Sequence, residues 1–317
     1  MFVYDELESK VSCLFPQTKC PLGKAILMEL TYIIQVALGG ILLGGIYGLL
    51  SLGMSLNMGL LNIMNLAHGS FLILGALTGY GLSAGLGLPP FWGLIIVPLL
   101  FGGLGVILFP ILIAPLSRRD PSKAFISFLL ITLGLAFILE EVTANILTHP
   151  LIGLNPGFET WHWKRLTLSP LALILFLVLS VVIFCLAHFL FRTDMGRTMR
   201  ALPQDPEGAL FIGIPLRKTK AWAWSLGLGA AGLAGLFWIL LFPVTPFMGL
   251  KLTVMSILMV MAVGPGRMPQ AIGAGFFWGI MESAGSAVLG PQWGILIPLM
   301  VYLGLLSFFP DGIKWSR

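Results

Sequence analysis

The polar residues able to do chemistry in this chain are few, and the densest group lies in one apolar stretch, "SLNMGLLNIMNLAHGSF" (55–71). Asn57, Asn62, Asn65 and His68 stand there among apolar neighbours. Their chemistry would be hydrogen bonding to a passing solute or to a neighbouring helix, with His68 also able to relay a proton. Asn62 and Asn65 are three apart and His68 continues the row, so an unbroken helix would present all three on one face. One reading is a broken helix lining a pathway. The other is interhelical hydrogen-bonding glue, and the residues leave both open.

Carboxylates are rarer still. Glu282 lies in the middle of "GAGFFWGIMESAGSAVLG" (273–290), where it needs a partner, a proton or water. It would serve as a proton relay in a coupled carrier, or as a structural hydrogen-bonding group, the simpler reading. Glu140 and Glu141 follow an apolar run and read as interfacial carboxylates at the end of a span. His188, on an apolar face, reads as a packed or interfacial histidine. The sequence contains no G-x-x-x-x-G-K-[ST] phosphate loop, no Cys/His metal spacing and no G-x-S-x-G elbow. Catalytic and metal sites are therefore expected to be absent. A lone His68 base, without a second group at motif spacing, is a weak basis for an enzyme.

The elements that must position these residues follow from composition. Of the 317 residues, 57% are apolar and 10% charged, against roughly 25% charged in a soluble domain. Uncharged windows long enough to cross a bilayer recur at 31–56, 91–116, 169–190 and 221–241. The expectation is an all-α polytopic membrane protein of about eight or nine transmembrane segments, with a broken or re-entrant element near 57–69. Shorter stretches at 252–263 and 294–309 complete the set. The window 252–263 is too short for a comfortable span and would start within a wider outer funnel. A leading segment (1–30), a membrane domain (31–313) and a short tail (314–317) describe the organisation, and no separate soluble domain is expected.

Lys/Arg bias orients the spans. Arg192, Arg197, Arg200, Arg217, Lys218 and Lys220 fall in one loop (about 191–220), and Arg118, Arg119 and Lys123 in another. Both are expected in the cytoplasm, which places the first residues outside. Lys164 and Arg165 in the Trp- and Pro-rich outer connection run against the rule but are outnumbered. The net charge of +5 is accounted for by these inside loops, so nucleic acid is not expected as a partner. The leader lacks the basic-then-apolar order of a signal peptide. Cys13 and Cys20 could pair in an oxidising compartment, and free thiols are the simpler reading.

Small residues recur at four-residue spacing: Gly40/Gly44, Gly227/Ala231/Gly235 and Gly275/Gly279. Such stripes let helix backbones approach where lipid gives no hydrophobic drive for association. The first and last pairs could also echo an internal repeat.

The basic loop contains "DPEGALFIGIP" (205–215), a two-turn helix with both ends marked. Asp205 is the N-cap, Pro206 opens the first turn, Glu207 complements the dipole, and Gly213 and Pro215 stop it. Ala209, Leu210, Phe211 and Ile212 would face solvent unless a partner covered them.

"EGALFIG" (207–213) resembles the E-A-A-x-x-x-G coupling loop of ABC importer permeases, through Glu207, Ala209 and Gly213. Asn65-Leu66-Ala67-His68-Gly69 resembles an Asn-Phe-Ala-His-Gly hallmark, with Leu66 in the Phe position. "MGRTMRALPQD" (195–205), "GPGRMPQAIGAGFFWGIMESA" (264–284) and "FFPDGI" (308–313) match further segments in order. Together they identify the chain, from about residue 31 to 313, as resembling branched-chain amino acid (LivH/LivM-type) permeases, closer to LivH. The resemblance implies a bacterial inner-membrane subunit paired with a sister permease. Two ABC ATPases would bind ATP and dock on Glu207, Ala209, Leu210, Phe211 and Gly213, and an extracytoplasmic solute-binding protein would deliver substrate. No cofactor would be bound by this chain itself. Asn62, Asn65, His68 and Glu282 would line or brace the pathway. Branched-chain amino acids are the implied solute, with urea, amides and other amino acids also carried in this branch. An ion- or proton-coupled carrier acting alone is the rival reading.

Overall fold

The computed structural model describes residues 22–116, 121–146, 151–154, 161–163, 166–168, 170–211 and 213–309. Cys13, Cys20, Arg118, Arg119, Ile212 and the tail 314–317 lie outside these. Eleven α-helices are found among the described residues, in the order α1 (Leu22–Leu61), α2 (His68–Tyr80), α3 (Gly93–Leu108), α4 (Pro121–Ile146), α5 (Pro170–Arg192), α6 (Asp194–Ala201), α7 (Pro206–Phe211), α8 (Leu216–Leu241), α9 (Gly249–Val263), α10 (Met268–Leu289) and α11 (Leu296–Phe308). Seven of the helical stretches are long and apolar enough to cross a membrane. α11 is a shorter apolar helix, and α2, continued by a π-turn at Gly81–Gly85, is the second limb of the broken element. Between α4 and α5, the described residues include an antiparallel pair of three-residue strands, β1 (Trp161–Trp163) and β2 (Leu166–Leu168), and an isolated bridge from Ile152 to Val244.

The expected short segment at 252–263 begins earlier. A 3₁₀ turn at Pro246–Met248 leads into α9, so the stretch Pro246–Val263 is 18 residues long. Its opening turn carries Lys251.

α1 and α8 form the centre of the bundle, and α8 is buried along nearly its whole length. The glycine stripes explain the close crossings. A side-chain carbon at Gly44 would lie 2.7 Å from the Cα of Phe276, and one at Gly40 would lie 3.0 Å from the Cα of Ile280. One at Gly279 would collide with the backbone of Gly44, and one at Gly275 with that of Gly48. Gly40/Gly44 and Gly275/Gly279 are thus the two halves of a single antiparallel contact between α1 and α10. The spacing suggested a repeat because each helix must offer a bare backbone at every turn of the crossing. On α8, Gly227 faces Gly53 of α1, and Gly235 lies against Leu72 and Ala76 of α2.

Candidate functional site

The polar stretch 57–69 does break. α1 ends at Leu61, Asn62 takes a left-handed φ of 53°, and residues 62–67 run without helix until α2 begins at His68. The expected single row of Asn62, Asn65 and His68 therefore does not form. Asn62 is exposed at the end of α1, whereas Asn65 and His68 are fully buried. Asn is one of the few residue types that tolerate this backbone region, which accounts for its place at the break.

Non-helical backbone at membrane depth must find its hydrogen bonds elsewhere, and two threonines supply them. Thr132 of α4 accepts from the Leu66 amide at 3.2 Å. Thr253 of α9 accepts from the Gly69 amide at 2.7 Å and donates toward the Leu66 carbonyl at 3.1 Å. Within the link, Asn65 Oδ1 accepts from the Ala67 amide at 3.1 Å. His68 Nε2 is 3.0 Å from the Leu50 carbonyl, an acceptor only, so that nitrogen carries the proton and donates. Asn57, both of whose amide atoms lack a protein partner, lies against Gly227.

The start of α9 lies directly beside this break. α2 and α9 both start inside the bundle, and Gly69 closes on the carbonyl of Gly249 so tightly that a Cβ would not fit. Glu140 does not face out from the bundle. It is buried, and its Oε1 accepts from the Leu250 amide at 2.9 Å, capping the positive end of α9. Glu141, one residue on, is exposed as expected. Ser70 Oγ, buried without a protein partner, flanks the same Gly249. Glu282 is partly buried, and its Oε2 accepts from Trp278 Nε1 at 3.1 Å. Sequence reasoning missed Glu140's role and the two threonines.

The basic loop is a small, well-defined structure. Thr193 caps α6 by accepting from Gly196 at 3.1 Å. Arg200 turns back to the end of α5, donating to the Leu190 carbonyl at 3.1 Å, with its guanidinium 4.7 Å from the Phe191 ring centre. α7 carries the caps expected of it. Asp205 Oδ1 accepts from Gly208 at 2.9 Å. Gly213 takes φ +79° while the Ile214 amide reaches the Ala209 carbonyl at 3.0 Å, a Schellman closure.

The expected outward row on α7 is corrected in one respect. Ala209 points inward, 4% exposed, into a cluster built from the ends of α1, α5, α6, α8 and α10, including Leu56, Leu190, Met199, Ala223 and Met268. Only a small side chain lets α7 sit this close. Phe211 projects outward at 90% exposure, and Glu207 and Gly213 are exposed with it. Ile212 and the side chain of Leu210 are outside the described residues.

Among the described residues no group of three metal-ligating side chains is found. What the arrangement offers is a helical bundle with one interior helix break beside the start of α9, joined at one end to a short helix bearing one bare aromatic ring.

Residues 36–306 match the family described as branched-chain amino acid transport system / permease component. The chain is 25% identical to the probable branched-chain amino acid transport permease protein LivH of Methanocaldococcus jannaschii, over 88% of this chain and 92% of that one. It is 23% identical to the high-affinity permease protein BraD of Pseudomonas aeruginosa and to LivH of Escherichia coli, in each case over 90% of this chain and 96% of the relative. A chain of PsaBC from Streptococcus pneumoniae, solved in complex with Fab, aligns with TM-score 0.47 and 17% identity over 86% of this chain and 91% of that one. With the match extending through most of its length, this chain belongs to the family of branched-chain amino acid transport permease components.

Proposed function

We propose that this chain is one membrane subunit of an ATP-binding-cassette importer for branched-chain or closely related amino acids in a bacterial inner membrane. A sister permease completes the pathway, a solute-binding protein delivers the solute from outside, and two ATPase subunits hydrolyse ATP inside. The observation that carries this reading is α7. Its inner face is seated by Ala209 among the ends of five helices, while Phe211 stands free on its outer face. A rigid-body push on Phe211 is thereby delivered to the bundle at once, because a packed cluster shifts as a unit rather than deforming. The interior break at 62–67, beside the start of α9, provides a second support. Discontinuous helices are where carriers expose backbone and polar groups to solutes. Asn65 and His68 would brace that region, through Asn65 Oδ1 on the link itself and His68 Nε2 on Leu50, while Asn65 Nδ2 and His68 Nδ1 are buried without a protein partner.

The test is reconstitution. The chain with its sister permease, ATPases and binding protein should accumulate leucine in proteoliposomes only when ATP is supplied to the ATPase side. The chain alone should accumulate none under a proton or sodium gradient. Gradient-driven uptake by the isolated chain would overturn this reading in favour of a secondary carrier.

A further inference from the structure

A groove of about 660 Å³ opens on the side of the bundle. α8 forms its floor through Ser225, Gly229 and Leu233, and α3 and α5 form its walls through Gly103, Val106 and Cys185. Its lining is almost wholly apolar, yet Ser225 Oγ is buried there with no protein partner. All three helices belong to stretches long and apolar enough to cross a membrane, so the groove lies at membrane depth. From Trp222 to Leu233, α8 rises about 16 Å at 1.5 Å per residue. That is half of a hydrocarbon core about 30 Å thick. The half concerned is the one next to the basic loop, which the Lys/Arg bias assigns to the cytoplasm. Trp222 stands at that end of the groove and is 49% exposed, on a helix otherwise buried along nearly its whole length. An indole so placed suits the membrane interface.

Where the apolar lining ends, positive charge continues it. On α8, Trp222, Ser225 and Gly229 recur at helical spacing, and Lys218 lies four residues before Trp222 on the same face. On α5, Val182, Cys185 and Phe189 line the groove, and Arg192 lies three residues beyond Phe189. Both cations are exposed. Among the described residues neither is paired with a carboxylate, and the ion pair of this loop joins Arg197 to Asp194 instead.

We propose that this groove holds one anionic phospholipid of the cytoplasmic leaflet. An acyl chain lies along α8 between α3 and α5, and Lys218 and Arg192 take the headgroup. Ser225 Oγ, about 10 Å deeper than Lys218 along the helix, donates to an ester carbonyl of the lipid. A zwitterionic lipid gains the same chain contacts, but its amine opposes the two cations, so headgroup charge decides the preference. The lipid sits back to back with the seat of α7. Leu186, Phe189 and Leu226 line the groove and also pack against the cluster that holds Ala209. A filled groove therefore supports that cluster from its membrane side. The site is a property of this chain alone and does not depend on the importer reading.

The test uses the full chain in detergent, titrated with phosphatidylglycerol or phosphatidylcholine brominated on the acyl chain. Bromine quenches an indole on contact, and the difference between the unaltered chain and Trp222→Phe isolates the signal of the groove. Phosphatidylglycerol should quench that signal at lower concentration than phosphatidylcholine. Arg192→Gln and Lys218→Gln should each weaken phosphatidylglycerol by about fivefold, the worth of one basic residue at an anionic lipid surface. Lys218→Arg should keep the preference, and the double variant should bind the two lipids alike. Gly103→Leu places a side chain in the groove with no atom near its would-be Cβ. It should reduce quenching by both lipids, with the melting temperature showing that the bundle stays folded. Equal quenching by the two lipids in the unaltered chain is the behaviour of a bulk lipid shell and would overturn the proposal. So would a phosphatidylglycerol preference that survives the double variant, or quenching untouched by Gly103→Leu. Loss of the Trp222 signal on co-purification with a sister permease would assign the groove to a helix of that subunit, and would overturn it as well.

Discussion

Replacing Phe211 with Asp separates a docking helix from a merely packed one. The ring is 90% exposed in this chain, so its removal costs the bundle almost nothing. If an ATPase cleft covers it, full burial of the ring contributes about 1.5–3 kcal/mol. That corresponds to roughly a 10- to 150-fold change in affinity, and a carboxylate in the same apolar cleft adds to the loss. The assay is paired. ATPase retention on immobilised permease is titrated for the unaltered chain and the variant, and thermal unfolding of the isolated permease in detergent is followed alongside. The expected outcome is weakened retention with an unchanged melting temperature. Ala209→Asp should give the opposite pattern, since it drives a charge into the cluster that joins five helices and should lower the melting temperature first. A Phe211→Asp permease that melts earlier yet retains its ATPases at full affinity would refute the reasoning.

Two further predictions concern the bundle. Gly279→Leu forces a side chain into the Gly44 backbone, so neither helix can relieve the clash by changing a rotamer. It should destabilise the detergent-solubilised protein by about 1–3 kcal/mol or more. Gly273→Ala, on the same helix with no atom near its would-be Cβ, should be neutral in the same melt. Thr253→Val preserves shape but leaves the Gly69 amide without its acceptor, at a cost of about 1–3 kcal/mol. Thr253→Ser should restore most of that stability. Equal melting temperatures for the Val and Ser variants would show that the hydroxyl does not support the helix break.

Much of this protein is determined by signals that act over a few residues, and those were legible in the sequence alone. Uncharged runs of spanning length mark the helices, because bare backbone and charge are both costly in hydrocarbon. The caps of α7 could be read from Asp205, Pro206 and Gly213, since each satisfies or shapes backbone within one turn. The break near 57–69 announced itself through asparagines at intramembrane depth. What sequence could not supply is which face meets which. Gly40/Gly44 and Gly275/Gly279 looked like an echo, and only the antiparallel crossing of α1 with α10 shows them to be partners. Ala209 and Phe211 read as one exposed row, yet a helix this short is oriented by the cluster it sits on, whose members come from five helices. Glu140 read as an interfacial acid until α9 placed the Leu250 amide against it, 110 positions away in the chain. Hydropathy and capping are local energies, fixed by the residues that carry them. The pairing of helix faces depends on the register of distant segments, and the folded bundle alone decides it.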